Sequence, residues 1–89
     1  MEDMDWDLVS FVIRSNYRFK VLKRLLEGNS TPSTISKEIT IRTNHVSVIL
    51  RELEEKNLVK CLYPNKKKGK IFEITDLGKK TFKHCSDIK

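Results

Sequence analysis

Between Thr31 and Lys70 the sequence changes its hydrophobic period once, and this change limits the folds that the chain can adopt. Up to Lys56 the apolar residues recur three and four positions apart, as they do on one face of a helix. From Leu58 onward they follow a period near two, in segments rich in β-branched and aromatic residues. The pattern predicts two short helices, a tight turn between them and a two-stranded hairpin.

The two helices have recognisable boundary signals. Thr31 is a suitable N-cap, and Pro32 suits the first helical position because its missing N–H needs no partner there. We expect the first helix over 32–39 and, after a turn, the second over 43–56. Asn57 can adopt the left-handed conformation that ends the second helix.

Two more helices are expected upstream of this pair. Apolar residues at helical spacing predict one over about 5–15, and a break at Ser15-Asn16 supplies a cap for the next, over 17–27. Gly28 is expected to end that helix as a left-handed cap.

The hairpin is expected over 58–75, with a tip that is rich in lysine. Asp76 then caps a last helix over 77–88, which Gly78 weakens by roughly 1 kcal/mol relative to alanine. The expected order is four helices, a hairpin and a helix. This order predicts a mostly α fold with a small β-hairpin, a winged helix-turn-helix in which the hairpin is the wing.

Length and composition suit one small domain over residues 1–89. A hydrophobic fraction of 38% is enough for a core, but a thin one for a monomer, so help from a partner subunit is plausible. The net charge is +6, and residues 1–15 carry −3, so the rest of the chain carries +9. A basic body predicts a polyanionic partner, most simply nucleic acid, although the charge alone also suits a merely solubilising surface.

Several classes of protein are disfavoured. Cys61 and Cys85 lie far apart and form no metal-binding motif, and reduced thiols fit a cytoplasmic protein. No apolar run is long enough for a membrane span, and the acidic start lacks the basic region of a signal peptide. No acid–base pair, metal cluster or phosphate-binding glycine loop is visible, so we expect neither an enzyme nor a cofactor.

The chain resembles the archaeal and bacterial winged-helix transcription regulators of the ArsR/MarR type. The matching landmarks span about residues 17–82 and are fairly specific only in combination. They are Arg18, Val21-Leu22, Leu25 and Gly28; Thr31-Pro32-Ser33 and Ile35; His45-Val46-Ser47, Leu50, Leu53, Glu54-Glu55-Lys56 and Leu58-Val59; and Gly69-Lys70-Ile71, Ile74-Thr75 and Gly78.

This resemblance implies a homodimer that binds operator DNA, with the 43–56 helix in the major groove. The family pattern has glycine where this chain has Asn57, a small departure because asparagine also tolerates the left-handed conformation. Metal-sensing members carry a cysteine pair near that helix, and this chain has none there, so no metal is expected.

The arc of the 43–56 helix opposite its aliphatic face is the expected reader of bases, because the N-terminal part of the second helix meets base edges in such motifs. The Asn44 amide can pair with adenine, and Arg51 can reach a guanine or a phosphate. Thr43 and Ser47 suit phosphate or water contacts better, and a histidine in such a helix usually bonds to a phosphate or a base. The alternative is an ordinary solvated face, and a catalytic role for the histidine would need a nucleophile that is not visible. The candidates are Thr43, Asn44, His45, Ser47, Val48 and Arg51.

A second set of residues is expected to contact phosphates. Flexible lysines suit the DNA backbone or the minor groove better than base reading, and the alternative for the hairpin tip is a solubilising loop. The candidates are Thr31, Ser33, Lys37 and Arg42, together with Lys66, Lys67, Lys68 and Lys70 of the hairpin.

One or both of the terminal helices are expected to form a two-fold interface, because so short a domain has little core left to bury their apolar stripes. The alternative is packing within the domain. The candidates are Trp6, Val9 and Ile13 of the first helix, and Leu77, Thr81, Cys85 and Ile88 of the last.

The leading hypothesis is thus a homodimeric, sequence-specific regulator of transcription that binds double-stranded DNA. Two other hypotheses stay open: a nonspecific architectural nucleic-acid-binding protein, and a winged-helix module that binds proteins. The latter would favour an apolar recognition face and a neutral wing, which this sequence lacks.

Overall fold

A computed structural model describes residues 5–64 and 70–88 of the chain. Within these residues the elements are α1 (Trp6–Ile13), α2 (Asn16–Glu27), α3 (Pro32–Ile39), α4 (Thr43–Glu55), β1 (Val59–Cys61), β2 (Phe72–Ile74) and α5 (Asp76–Ile88). The predicted fold class is confirmed: the protein is mostly α with a small antiparallel hairpin, in winged-helix order. Lys66, Lys67 and Lys68 lie outside the described residues.

Side-chain caps begin α1, α2, α3 and α5, whereas Arg42 gives α4 no side-chain cap. The hydroxyl of Ser15 accepts a hydrogen bond from the N–H of Arg18 at the start of α2, and that of Thr31 accepts one from the N–H of Thr34 in α3, as expected. The prediction for α5 was wrong by one residue. The hydroxyl of Thr75, not the carboxylate of Asp76, accepts from the Gly78 N–H at 3.0 Å.

One of the two predicted left-handed helix ends is confirmed, and the other departs from expectation. Asn57 has φ 63°, the predicted left-handed conformation. Gly28 instead has φ 156° and ψ 160°, an extended region open essentially to glycine only, so it is not the left-handed helical cap that was predicted. Thr40, in the turn between α3 and α4, is left-handed at φ 60° and ψ 51°. The Ser36 hydroxyl, which donates to the Ile41 carbonyl, helps hold that turn.

The hairpin is anchored at its base to the segment before α3. β1 and β2 pair antiparallel, with Val59 opposite Ile74 and Cys61 opposite Phe72, and both strands are shorter than predicted. Phe72 also forms an isolated bridge with Ser30, in which each N–H donates to the other's carbonyl at 2.8 and 3.2 Å. This bridge, which the sequence did not predict, fixes the wing base beside the start of α3.

The core joins all five described helices to the hairpin. It contains the four aliphatic residues expected on α4, together with apolar residues of α1, α2, α3, α5 and both strands. Phe19 of α2 stacks on Phe82 of α5, with ring centroids 5.0 Å apart. Cys61 is partly buried and Cys85 is fully buried.

The packing of α1 on α5 corrects part of the predicted dimer interface. The Cys85 thiol lies 3.7 Å from the Val9 carbonyl, and Val9, Thr81 and Cys85 are each at most 4% exposed. Because these residues fill the space between two helices of the same chain, they cannot also face a partner in this arrangement. For them the alternative of packing within the chain is the correct one.

Gly78 is required by a close approach between α5 and the segment that enters β1. A Cβ atom at this position would lie 2.1 Å from the Leu58 carbonyl oxygen and 2.7 Å from Cγ1 of Ile74. The glycine therefore allows α5 to pack against the base of the wing, a role that its helix propensity does not reveal.

Candidate nucleic-acid interface

Helix α4 separates its core residues from its exposed residues. Val46, Ile49, Leu50 and Leu53 are buried, and at 100° per residue they occupy one side of the helix. The opposite side carries Asn44, Val48 and Arg51, which are all exposed; Val48 is 48% exposed although it is aliphatic. An amide, a branched apolar group and a guanidinium thus stand together on a surface that the fold does not use. We call these three residues the outer face of α4.

One flank of the outer face borders a groove between α3, α4 and the wing. This groove contains five residues that the sequence assigned to DNA contact, two of them to phosphate and three to bases. Its lining comprises Ser33, Lys70, Thr43, Ser47 and Arg51, together with Pro32, Glu54 and Phe72. The groove thus joins residues that are distant in the chain.

Besides Pro32, which begins α3, two residues of this groove were missed by the sequence reasoning. Phe72 lies in it because of the bridge to Ser30, a pairing for which the sequence gives no local signal. Glu54 stands two turns beyond Ser47 on the same flank, and its spacing on the helix would have placed it there. A carboxylate in the same groove as Arg51 and Lys70 limits where a phosphate can sit.

The remaining candidate phosphate contacts lie on α3 and in the turn. Ser33, Lys37 and Arg42 are exposed. The Thr31 hydroxyl is occupied by the cap of α3, since it also donates to the Thr34 hydroxyl at 3.0 Å. Thr31 therefore has a structural role as the cap of α3.

The structure places His45 on the other flank of α4, toward α2. Its ring contacts the Tyr17 ring edge-on, with centroids 5.2 Å apart and planes at 73°. Lys20, one turn along α2, holds its ammonium 5.8 Å from the centroid of the Tyr17 ring. Sequence reasoning grouped His45 with the base-facing residues and overlooked Tyr17, because only the packing of α2 on α4 brings the two rings together.

Arg18 fixes the orientation of α4 relative to α1 and α2. Its guanidinium donates to both carboxylate oxygens of Glu52 at 3.2 and 3.3 Å and to the Phe11 carbonyl at 2.9 Å. The same group lies 4.0 Å from the centroid of the Phe11 ring. Bidentate pairing and stacking both need the planar guanidinium, so a lysine cannot replace this contact.

Apolar residues remain exposed on the terminal helices. Trp6 of α1 is 61% exposed, Ile88 of α5 is 48% exposed, and Leu77 is exposed as well, whereas Ile13 is partly buried against the core. Trp6, Leu77 and Ile88 are thus the members of the predicted interface that packing within the chain leaves accessible.

Residues 5–64 and 70–88 contain no group of three or more histidine, cysteine or acidic side chains placed to hold a metal ion. Of the helices in that part of the chain, none combines the length and the apolar character needed to cross a membrane.

Comparison with known proteins identifies the fold. No protein-family model matches the chain, and no curated protein matches it. Among solved structures, wild-type MarR of E. coli in its apo form matches with a TM-score of 0.75 and 23% identity, over 91% of this chain and 64% of MarR. A mutant of E. coli MarR complexed with operator DNA matches with a TM-score of 0.73 and 23% identity, over 91% of this chain and 62% of that one. BldR of Sulfolobus solfataricus, a transcriptional regulator, matches with a TM-score of 0.73 and 19% identity, over 91% and 60%.

These likenesses show that the chain has the winged-helix fold of MarR-like proteins. The chain spans about three fifths of the length of these structures. The ArsR-like part of the resemblance stays a prediction.

Proposed function

We propose that this protein is a transcription regulator that binds specific sequences in double-stranded DNA as a homodimer. In this proposal α4 enters the major groove and its outer face reads the bases. The wing, with Lys70 at the end of its described part, contacts the backbone or the minor groove.

The outer face of α4 is the observation that carries this proposal. Asn44 can pair with the edge of adenine, Arg51 with that of guanine, and Val48 can contact a thymine methyl. These residues make no contribution to the core, whereas the other side of α4 is completely buried. A helix about 10–12 Å across also fits a major groove about 12 Å wide.

Charge and structural likeness support the same assignment. The net charge of +6 favours a polyanion. A protein of the same fold, a mutant of E. coli MarR, has been solved with operator DNA. The groove beside the outer face, with Ser33, Thr43 and Lys70 in its lining, offers donors to phosphate at one edge of the helix.

A homodimer would extend this interface to two half-sites. Trp6, Leu77 and Ile88 are exposed apolar side chains on the terminal helices that a partner subunit could cover. A two-fold arrangement would place two copies of α4 about 34–36 Å apart, one turn of DNA, on a palindromic site.

The test is selection of bound duplexes from a random pool, followed by affinity measurements on the selected sequence. We expect a palindromic motif that is bound at least about a thousandfold more tightly than random duplex. Arg51→Ala should weaken that binding by about 5- to 150-fold and relax the preference at one base position in each half-site.

Lys83→Ala is the matched control, because Lys83 is an exposed cation on α5, which packs on α1 and α2. It should leave both affinity and preference near the wild-type values. Equal affinity for selected and random duplexes would favour the architectural alternative and refute sequence-specific regulation. No binding even at low salt would refute DNA binding altogether.

A further inference from the structure

The flank of α4 that faces α2 carries a cluster that neither the groove nor the outer face includes. It consists of Tyr17 and Lys20 of α2 and His45 of α4, and we call it the α2-side cluster. Tyr17 is 39% exposed, and both His45 and Lys20 are exposed. A phenol, an ammonium and an imidazole, all able to donate a hydrogen bond, therefore share one patch of surface.

The α2-side cluster and the groove lie on opposite sides of the outer face. Around the helix axis His45 is about 160° from Ser47, and Asn44 and Arg51 fall between them. The contacts agree with this geometry: Ser47 lines the groove beside the wing, whereas His45 contacts Tyr17. Glu52, on the same flank as His45, is held by Arg18 of α2.

The three side chains are arranged to stay together. The ring of Tyr17 holds the imidazole edge-on at 5.2 Å. The ammonium of Lys20 lies over the face of the same ring, at a distance where a cation is attracted to it. The two ring contacts thus favour conformations in which the three donors share one patch of surface.

We propose that the α2-side cluster binds backbone phosphates on the strand opposite the one that the wing side of α4 contacts. This inference rests on the proposed function. A helix about 10–12 Å across fills a major groove about 12 Å wide. Each of its flanks therefore faces the sugar-phosphate backbone of one DNA strand. The groove beside the wing contacts the backbone of one strand, and the α2-side cluster contacts the backbone of the other. His45 accordingly positions the helix and does not read bases, since phosphate contacts carry no sequence information.

The test compares Lys20→Ala, Tyr17→Phe and the control Lys83→Ala on the selected duplex over a range of salt concentrations. Lys20→Ala should reduce the slope of log K against log salt by about 0.9 for each protomer bound and weaken binding about five- to tenfold per protomer near 0.1 M salt. Tyr17→Phe keeps the ring against His45 and removes only the hydroxyl. It should weaken binding roughly two- to tenfold per protomer without changing the slope. Neither variant should alter the preferred sequence.

Methylphosphonate substitution then identifies the phosphates. Neutralising them one at a time should reveal two sets that matter to the wild-type protein, one on each strand beside the major groove. Lys20→Ala should become less sensitive to one set and remain as sensitive as the wild type to the other. Circular dichroism should show wild-type helicity for both variants, since Lys20 and the Tyr17 hydroxyl lie outside the core.

The different failures can be told apart. If the wild type binds duplex while Lys20→Ala and Tyr17→Phe match Lys83→Ala in affinity and salt slope, the phosphate role of the cluster is wrong and the proposed function stands. A changed base preference in either variant also overturns the inference, because it would show base reading. If the wild type binds no duplex, the proposed function and this inference fall together.

Discussion

Gly78→Ala tests how α5 is fitted to the wing. Helix propensity alone favours the substitution by about 1 kcal/mol. The structure predicts the opposite, because the new Cβ would lie 2.1 Å from the Leu58 carbonyl oxygen, whereas ordinary contacts are 3.4–4 Å. The side chain of Ile74 can rotate away from the new methyl group, but the Leu58 oxygen belongs to the backbone and can retreat only with the segment that enters β1.

The cost follows from what that retreat would disturb. Overpacking of this kind costs about 1–3 kcal/mol. The Leu58 oxygen also accepts a hydrogen bond from the Thr75 N–H at 3.0 Å, which contributes about 0.5–1.5 kcal/mol. The Thr75 hydroxyl lies 3.0 Å from the same oxygen, but its single proton has a shorter bond to the Asn57 carbonyl at 2.7 Å. Together these terms exceed the propensity gain, so we expect Gly78→Ala to lower the free energy of unfolding by about 2 kcal/mol.

Urea unfolding measures this free energy when it is followed by circular dichroism at about 222 nm, where the signal reports helix content. The matched control is the pair Lys79→Gly and Lys79→Ala, at the exposed neighbouring position, where alanine should be more stable than glycine by up to about 1 kcal/mol. A Gly78→Ala protein already unfolded without urea would agree with the prediction. One as stable as the wild type would show that the close approach at Leu58 carries no cost, and the reasoning would be refuted.

Two further predictions concern the supports of the site. Arg18→Lys keeps the charge but loses the bidentate contact with Glu52 and the stacking on Phe11, so the free energy of unfolding in urea should fall by about 1–2 kcal/mol; a change below about 0.3 kcal/mol would contradict this role. Combined Trp6→Ala and Ile88→Ser substitutions should weaken self-association at least about tenfold in sedimentation equilibrium, with helicity unchanged, because both side chains are exposed in the protomer. An unaltered dissociation constant would move the dimer interface to another face.

Local chemistry made much of this fold predictable. Thr31 and Pro32 marked the start of α3 at the residue where it begins, and Asn57 adopts the predicted positive φ. The aliphatic spacing of α4 identified its four buried residues. The outer face then followed as the opposite side of the same helix. Each of these signals acts within a few residues, where capping and helical periodicity dominate.

The errors arose mostly where distant segments meet. Thr75 displaced Asp76 as the cap of α5, a competition between neighbouring residues that sequence alone does not decide. Val9 and Cys85 were assigned to a dimer interface because nothing in either helix shows that they pack on each other. The contact between His45 and Tyr17 was missed because it depends on how α2 lies across α4. The residue types were informative in each case, but the tertiary contacts decided their surroundings.

The division of α4 into a buried side and an outer face has a consequence for evolution. Substitutions at Asn44, Val48 or Arg51 leave the core untouched, and exposed changes of this kind usually alter stability by no more than about 0.5 kcal/mol. A lineage can therefore vary these positions freely while the chain continues to fold. New surface chemistry can accumulate there one residue at a time, without the compensating changes that a core substitution would demand.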